Sequence, residues 1–258
     1  MKTTVVAQQK GGVGKTSTLV HLALDALERG KKVAVIDLDT QGNASYSLQA
    51  YQSSLTASAM FKDVSSTPWA EIAGEEGQED AARLVLIASD AGLADMEKTS
   101  LAEAGTHFKE AIRLLALQGF DLCLIDTPPS LGNCLAAALY AADYVLSPIE
   151  LEVYSIQGIK KMNAAIANMR KANPGLIFLG MVPSKVDGRN PRHKEHLDKL
   201  QAAYPQLMIP ATIGLRSSIA DALANGVPVW QIKKTAARKA AKEVRALAQY
   251  VYEKMEIA

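Results

Sequence analysis

The chain has 258 residues, 48% hydrophobic and 21% charged, with a formal net charge of +1. That size and apolar content suit one packed core, so a single domain over residues 1–258 is expected, and a near-neutral balance alone does not call for nucleic acid. Cys123 and Cys134 exclude a disulfide framework and match no metal spacing, no run reaches transmembrane length, and no basic leader precedes the first strand, so a cytoplasmic protein with no membrane partner is expected.

In chain order, the β-branched run Thr3-Thr4-Val5-Val6 predicts a first strand. A glycine-rich loop follows, then a helix from Thr16 to Glu28 with Leu19, Leu22, Ala23, Ala26 and Leu27 at helical spacing and Gly30 as its stop. Further strands are expected at 33–37, 84–88, 121–126, 144–148, 176–182 and 207–211, separated by helical stretches. This alternation predicts an α/β fold, a mostly parallel sheet flanked by helices on both faces. From Lys62 to Glu110 eleven acids stand against four bases, which reads as a surface excursion around one short strand and a helix from about residue 100. Its acidity marks either a solvated face or a partner surface.

The loop Lys10-Gly11-Gly12-Val13-Gly14-Lys15-Thr16-Ser17 carries the chemistry. Strand, loop and helix start, in that order, are the mark of a nucleoside-triphosphate site. Glycines let successive backbone N–H groups converge on an anion, and the helix N-terminus adds partial positive charge. Lys15 then reaches the β- and γ-phosphates and the Thr16 hydroxyl ligates Mg²⁺. Gln9 stands where the usual first glycine belongs, and a second lysine, Lys10, leads the loop.

With that leading lysine, the loop resembles the deviant Walker A motif of the ParA/MinD group of P-loop ATPases. Two more segments extend the resemblance: Asp37-Leu38-Asp39-Thr40-Gln41-Gly42-Asn43 is similar to the group's switch I, and Asp121 to Pro129 to its Walker B strand. The resemblance implies ATP and Mg²⁺ as cofactors, and two subunits that sandwich two nucleotides while Lys10 of each touches the phosphates held by the other. Asp126 at a strand's carboxyl end would hold Mg²⁺ through its water shell. Asp39 would orient or deprotonate the attacking water; Asp37, two residues earlier on the same side, serves either the metal or the loop. Thr40 replaces the group's proline and loosens the backbone after Asp39. Pro183 and Ser184 match the segment that lies beside the adenine. Asp143 to Glu152, with Ser155-Ile156-Gln157-Gly158, brings the chain close to the ParA-type plasmid partition proteins.

Between Lys233 and Lys254 there are seven bases and two acids. On a helix Lys234, Arg238, Lys242 and Arg245 fall within roughly 80° of one another. Ala237, Ala241, Val244, Ala248 and Val251 form a neighbouring stripe that would dock on the body, leaving the bases outward as a row for phosphates or as a solvated face. Arg216 is a further candidate, facing DNA or bracing an interface. ParA-type resemblance implies non-specific nucleoid DNA binding by the ATP-bound dimer and hydrolysis stimulated by a ParB-type centromere-binding protein. No separate DNA-binding domain precedes the first strand, which argues against autorepression. Two alternatives stay open: a MinD-like membrane-cycling ATPase, against which the acids near the C-terminus speak, and an iron–sulfur carrier using Cys134.

Overall fold

A computed structural model describes residues 1–64, 69–72, 81–152 and 155–257. Seven strands, β1 (Lys2–Val6), β2 (Lys32–Asp37), β3 (Gln52–Thr56), β4 (Arg83–Ala88), β5 (Leu122–Asp126), β6 (Tyr144–Glu150) and β7 (Ile177–Ser184), form one sheet in the order β3-β4-β2-β5-β1-β6-β7. Every pairing is parallel, as crossover helices require. The helices are α1 (Lys15–Glu28), α2 (Asn43–Ser47), α3 (Leu101–Leu117), α4 (Asn133–Ala141), α5 (Ser155–Met169), α6 (Pro191–Ala203), α7 (Ser217–Ala224) and α8 (Thr235–Met255).

Alternation along the strands splits the core in two. Val5, Ala34, Ile36, Cys123 and Ile125 point to the face covered by α3, α4 and α5, while Val6, Val33, Val35, Leu122 and Leu124 point to the face covered by α1, α7 and α8. Helix ends follow local chemistry. Ser100 accepts from the Glu103 N–H at the start of α3, and Asn190 accepts from the Arg192 N–H with Pro191 opening α6.

Two expectations change. The segment 207–211 is not a strand: Leu207 and Ile209 bond to Met181, but Pro210 has no N–H to continue the ladder, so a single bridge remains at Met208. The edge strand β3 was absent from the reading of the sequence. Within the acidic stretch 62–110, residues 65–68 and 73–80 lie outside the described residues, and the expected strand and helix are β4 and α3.

Candidate nucleotide site and basic surface

Three strands deliver the site to one edge of the sheet. Asp126 on β5 stands in register with Val6 of β1 on one side and Asp37 of β2 on the other. The phosphate loop and both acids therefore leave the sheet side by side. The loop turns through Gly12 at φ 75° and Gly14 at φ 95°, a region L side chains rarely occupy. A Cβ on Gly14 would also stand 2.6 Å from Ser184 Oγ, so glycine is required there twice over. Ser17 donates from Oγ to the Gly14 carbonyl at 3.0 Å, tying the loop to the first turn of α1, and Val13 is buried beneath it.

Lys15 opens α1 and is only 7% exposed, yet among the described residues it has neither a hydrogen-bond acceptor nor a counter-ion in contact. Burial lowers its pKa, with the charges of Asp126 and Asp39 opposing. A buried, unpaired cation beside a glycine cradle is costly unless an anion arrives. Thr16 donates from Oγ1 to Asp126 Oδ2 at 2.6 Å. Asp126 is wholly buried; desolvation, then the charge of Asp37, pushes its pKa up to about 7 against the hydrogen bond from Thr16. A divalent cation beside these two oxygens would favour the ionised carboxylate.

The two acids after β2 divide their work. Asp37 accepts from the Ser45 N–H and hydroxyl, both at 2.8 Å, and from the Asp39 N–H at 3.1 Å, which folds residues 39–45 back on the strand. Burial raises its pKa against those hydrogen bonds. Of the two roles left open for Asp37, this geometry displays the loop-building one. Asp39 accepts from the Gln41 N–H at 3.0 Å, its carbonyl accepts from Ser89 Oγ, and it lines the cavity.

That cavity is about 510 Å³, walled by Gly11, Gly12, Gly14, Lys15, Thr16 and Ser17 on one side and by Asp39, Gln41, Asn43, Tyr46, Leu223 and Ala224 on the other. Its dimensions suit a nucleotide. Pro183 and Ser184 are not in its wall: the Pro183 carbonyl accepts from Ile213 N–H, and Ser184 backs Gly14 from within. Lys10 stands at the cavity's flank, its Nζ held by Glu150 at 2.7 Å and Glu152 at 2.6 Å.

The basic residues near the C-terminus do not form one outward row. Lys234 caps α8 and pairs with Asp221 at 2.6 Å. Arg216 pairs with Glu243 of α8 at 2.5 Å and braces the start of α7. Arg245 turns to α1, bonding Asp25 at 2.9 Å and Glu28 at 2.6 Å and lying 4.3 Å over the Trp230 ring. Arg238 and Lys242 stay exposed, with Lys239 beside them, and among the described residues none of the three has an ion-pair partner. The apolar stripe of α8 is already docked through Ala237, Val244, Ala248, Val251 and Met255. Among the described residues no helix is long and apolar enough to cross a membrane, and Cys134 is sunk in the core at 3% exposure.

An AAA domain family model matches residues 1–178. Protein IncC of Escherichia coli is 67% identical over 257 residues, spanning this whole chain and 71% of that protein. The chromosome-partitioning ATPase Soj of Thermus thermophilus is 32% identical over 250 residues, 95% of each chain. The chain belongs to the ParA-type partition ATPases. Among solved ParA-like structures, the ATP complex of a Cyanothece McdA variant superposes with a TM-score of 0.78 at 25% identity over 96% of each chain. For this ParA-type chain the sequence missed the partners of Lys10, and it missed Tyr46, Leu223 and Ala224 in the cavity wall. A signal for Glu150 was present, since it ends a strand on the edge where ligands bind.

Proposed function

We propose that this ATPase, acting as one domain over residues 1–258, binds ATP with Mg²⁺, pairs with a second copy around two nucleotides, and holds non-specific DNA until hydrolysis to ADP and phosphate. The observation that carries the reading is Lys15: buried, unpaired and set in a glycine cradle beside the Thr16–Asp126 couple. Gly11, Gly12, Val13 and Gly14 would present backbone N–H groups to the phosphates, Lys15 their counter-charge, and Thr16 with Asp126 would hold Mg²⁺, which when bound neutralises charge on the phosphate oxygens. Asp39 reaches the cavity from the next strand and would orient the attacking water through its carboxylate. Lys10 would turn to the nucleotide of the second copy, so that loss of the terminal phosphate dissolves the pair. The adenine would lie towards Pro183 and Ser184 or against Tyr46, and substitution of Tyr46 tells these apart.

The DNA surface would centre on Arg238 and Lys242, with Lys234, Arg216 and Arg245 shaping it from their ion pairs. A ParB-type centromere-binding protein would stimulate turnover, and the working place would be the nucleoid within the cytoplasm. The test is binding of the purified chain to random duplex DNA with ATP, ADP or no nucleotide across a salt series, alongside Arg238→Ala/Lys242→Ala. Binding that needs ATP, falls with salt and is lost in the double variant supports the reading. Binding indifferent to nucleotide, or retained in the double variant, overturns it.

A further inference from the structure

Lys10 sits in a cluster of four charges drawn from the phosphate loop, the end of β6 and the residue after β7. Its Nζ is 2.7 Å from Glu150 Oε2 and 2.6 Å from Glu152 Oε2, and the other oxygen of Glu150 meets Lys185 Nζ at 3.3 Å. Topology makes this possible: β6 lies between β1 and β7, and Glu150 is in register with Ser184, so Lys185 follows directly across from it. Lys185 holds φ 54°, one of two non-glycine residues at positive φ among the described residues. Such backbone persists where the surroundings impose it, and it concentrates at functional sites. Here it carries the Lys185 ammonium to 3.9 Å from the position of a Cβ on Gly12, over the phosphate loop.

The four groups differ in how much water they keep. Side-chain exposure is 17% for Glu150, 54% for Glu152, 47% for Lys10 and 42% for Lys185. Partial burial pulls the Lys10 pKa down, but the hydrogen bonds to and charges of Glu150 and Glu152 outweigh it, and the net direction is up. Burial pushes Glu150 up, and Lys10 and Lys185 outweigh it, so its carboxyl titrates below the usual range. If Lys10 left and Lys185 were absent, a mostly buried carboxylate would lose both of these cations. With Lys185 in place, one cation stays on the mostly buried Glu150, and the carboxylate that loses Lys10 without such a replacement is the well-hydrated Glu152.

We propose that Glu150 and Glu152 anchor Lys10 within its own subunit, and that Lys185 is a positioning residue that keeps a cation on Glu150 when Lys10 turns to a nucleotide held by a second copy. The Lys185 half rests on the two-subunit reading above; the anchor half concerns the nucleotide-free chain alone. The two halves are separated by two measurements on the full chain. In the first, Lys10 acetylation by acetic anhydride without nucleotide is followed by mass spectrometry. Glu150→Gln/Glu152→Gln is expected to speed it about fivefold, the free amine gaining as the anchoring pairs are lost; an unchanged rate overturns the anchor.

In the second, self-association with Mg·ATPγS is followed by sedimentation. Lys185→Ala is expected to weaken association about fivefold in the parent and to have no effect in a Glu150→Gln background. Equal weakening in both backgrounds overturns the positioning role, since Lys185 then acts without Glu150. No association in the parent refutes the two-subunit reading and the Lys185 role with it, while the acetylation result still decides whether the two glutamates anchor Lys10.

Discussion

Arg245→Ala separates a brace from a DNA contact. Arg245 donates from Nη1 to Asp25, which is fully buried, and from Nη2 to Glu28, and its guanidinium lies 4.3 Å over Trp230. A hydrogen bond to a buried charge contributes ~1.5–3 kcal/mol. Arg29 still bonds Asp25 at 2.6 Å in the variant, which places the loss near the lower end. The stacking adds ~1 kcal/mol, and the half-exposed Glu28 pair adds only a few tenths after screening. The sum is about 3 kcal/mol, or a fall of roughly 6–10 °C in Tm for a chain of this size. Calorimetry of the nucleotide-free protein reads it, with Arg238→Ala as the comparison. An exposed, unpaired arginine should shift Tm by less than ~2 °C. If Arg245→Ala melts with Arg238→Ala and the wild type, the α1–α8 brace is not real, and Arg245 returns to the outward row.

His21 donates from Nδ1 to the Ser17 carbonyl, leaves Nε2 without a partner, and has a pKa lowered by burial. Below ~6.5 the unfolded chain therefore takes up a proton that the fold refuses, and stability falls by up to about 1.4 kcal/mol per pH unit until the folded pKa is reached. Asp37 and Asp126 have raised pKa values and act in the opposite direction. The measurement is thus a difference: urea unfolding at pH 7.5 and 5.5 should show a smaller acid loss in His21→Gln than in the wild type, and equal losses would refute the assignment. Gly14→Ala should abolish nucleotide binding by calorimetric titration, and Ser184→Gly should fail to restore it, because φ 95° remains after the 2.6 Å clash is removed. Restoration would mean that contact, not backbone conformation, sets the loop. On the proposed reading, with Arg238, Lys239 and Lys242 each on one phosphate, the log–log salt slope is about −2.7 for one subunit on DNA and about −5.4 for two. A slope that does not change with ATP would remove the dimer from DNA binding.

What was legible in the sequence is what local chemistry decides. The phosphate loop is contiguous, and its glycines are set by backbone angles; Asp37, Asp39 and Asp126 close or follow strands whose apolar runs announce them. Failures came where the deciding partner is distant. β3 carries one buried residue, Leu55, among polar neighbours, so no alternation marks it. Lys10 is 140 residues from Glu150, and no spacing rule joins them. Arg245 shares the angular face of Arg238, but seven residues along the axis move it about 10 Å. That translation places it over the end of α1, where Asp25 and Glu28 wait. Periodicity reports rotation about a helix and is blind to what stands beside each turn.

The arrangement of the bases also bears on how a nucleotide can control them. Arg238, Lys239 and Lys242 are exposed, so no cover has to be lifted for phosphates to reach them. Arg216 and Arg245 are tied to Glu243 and to the buried Asp25 of α1, and freeing them would cost the bracing of α7 and α8, whereas the Lys234–Asp221 pair is exposed and weak. Uncovering hidden charge is therefore the costly route, and adding a second copy of a weak surface is the economical one. Two tethered surfaces gain affinity through effective concentration with no new contact in either. On that reading the switch belongs at Lys10 and its anchor, where the count of subunits is set, and α8 needs only to hold still.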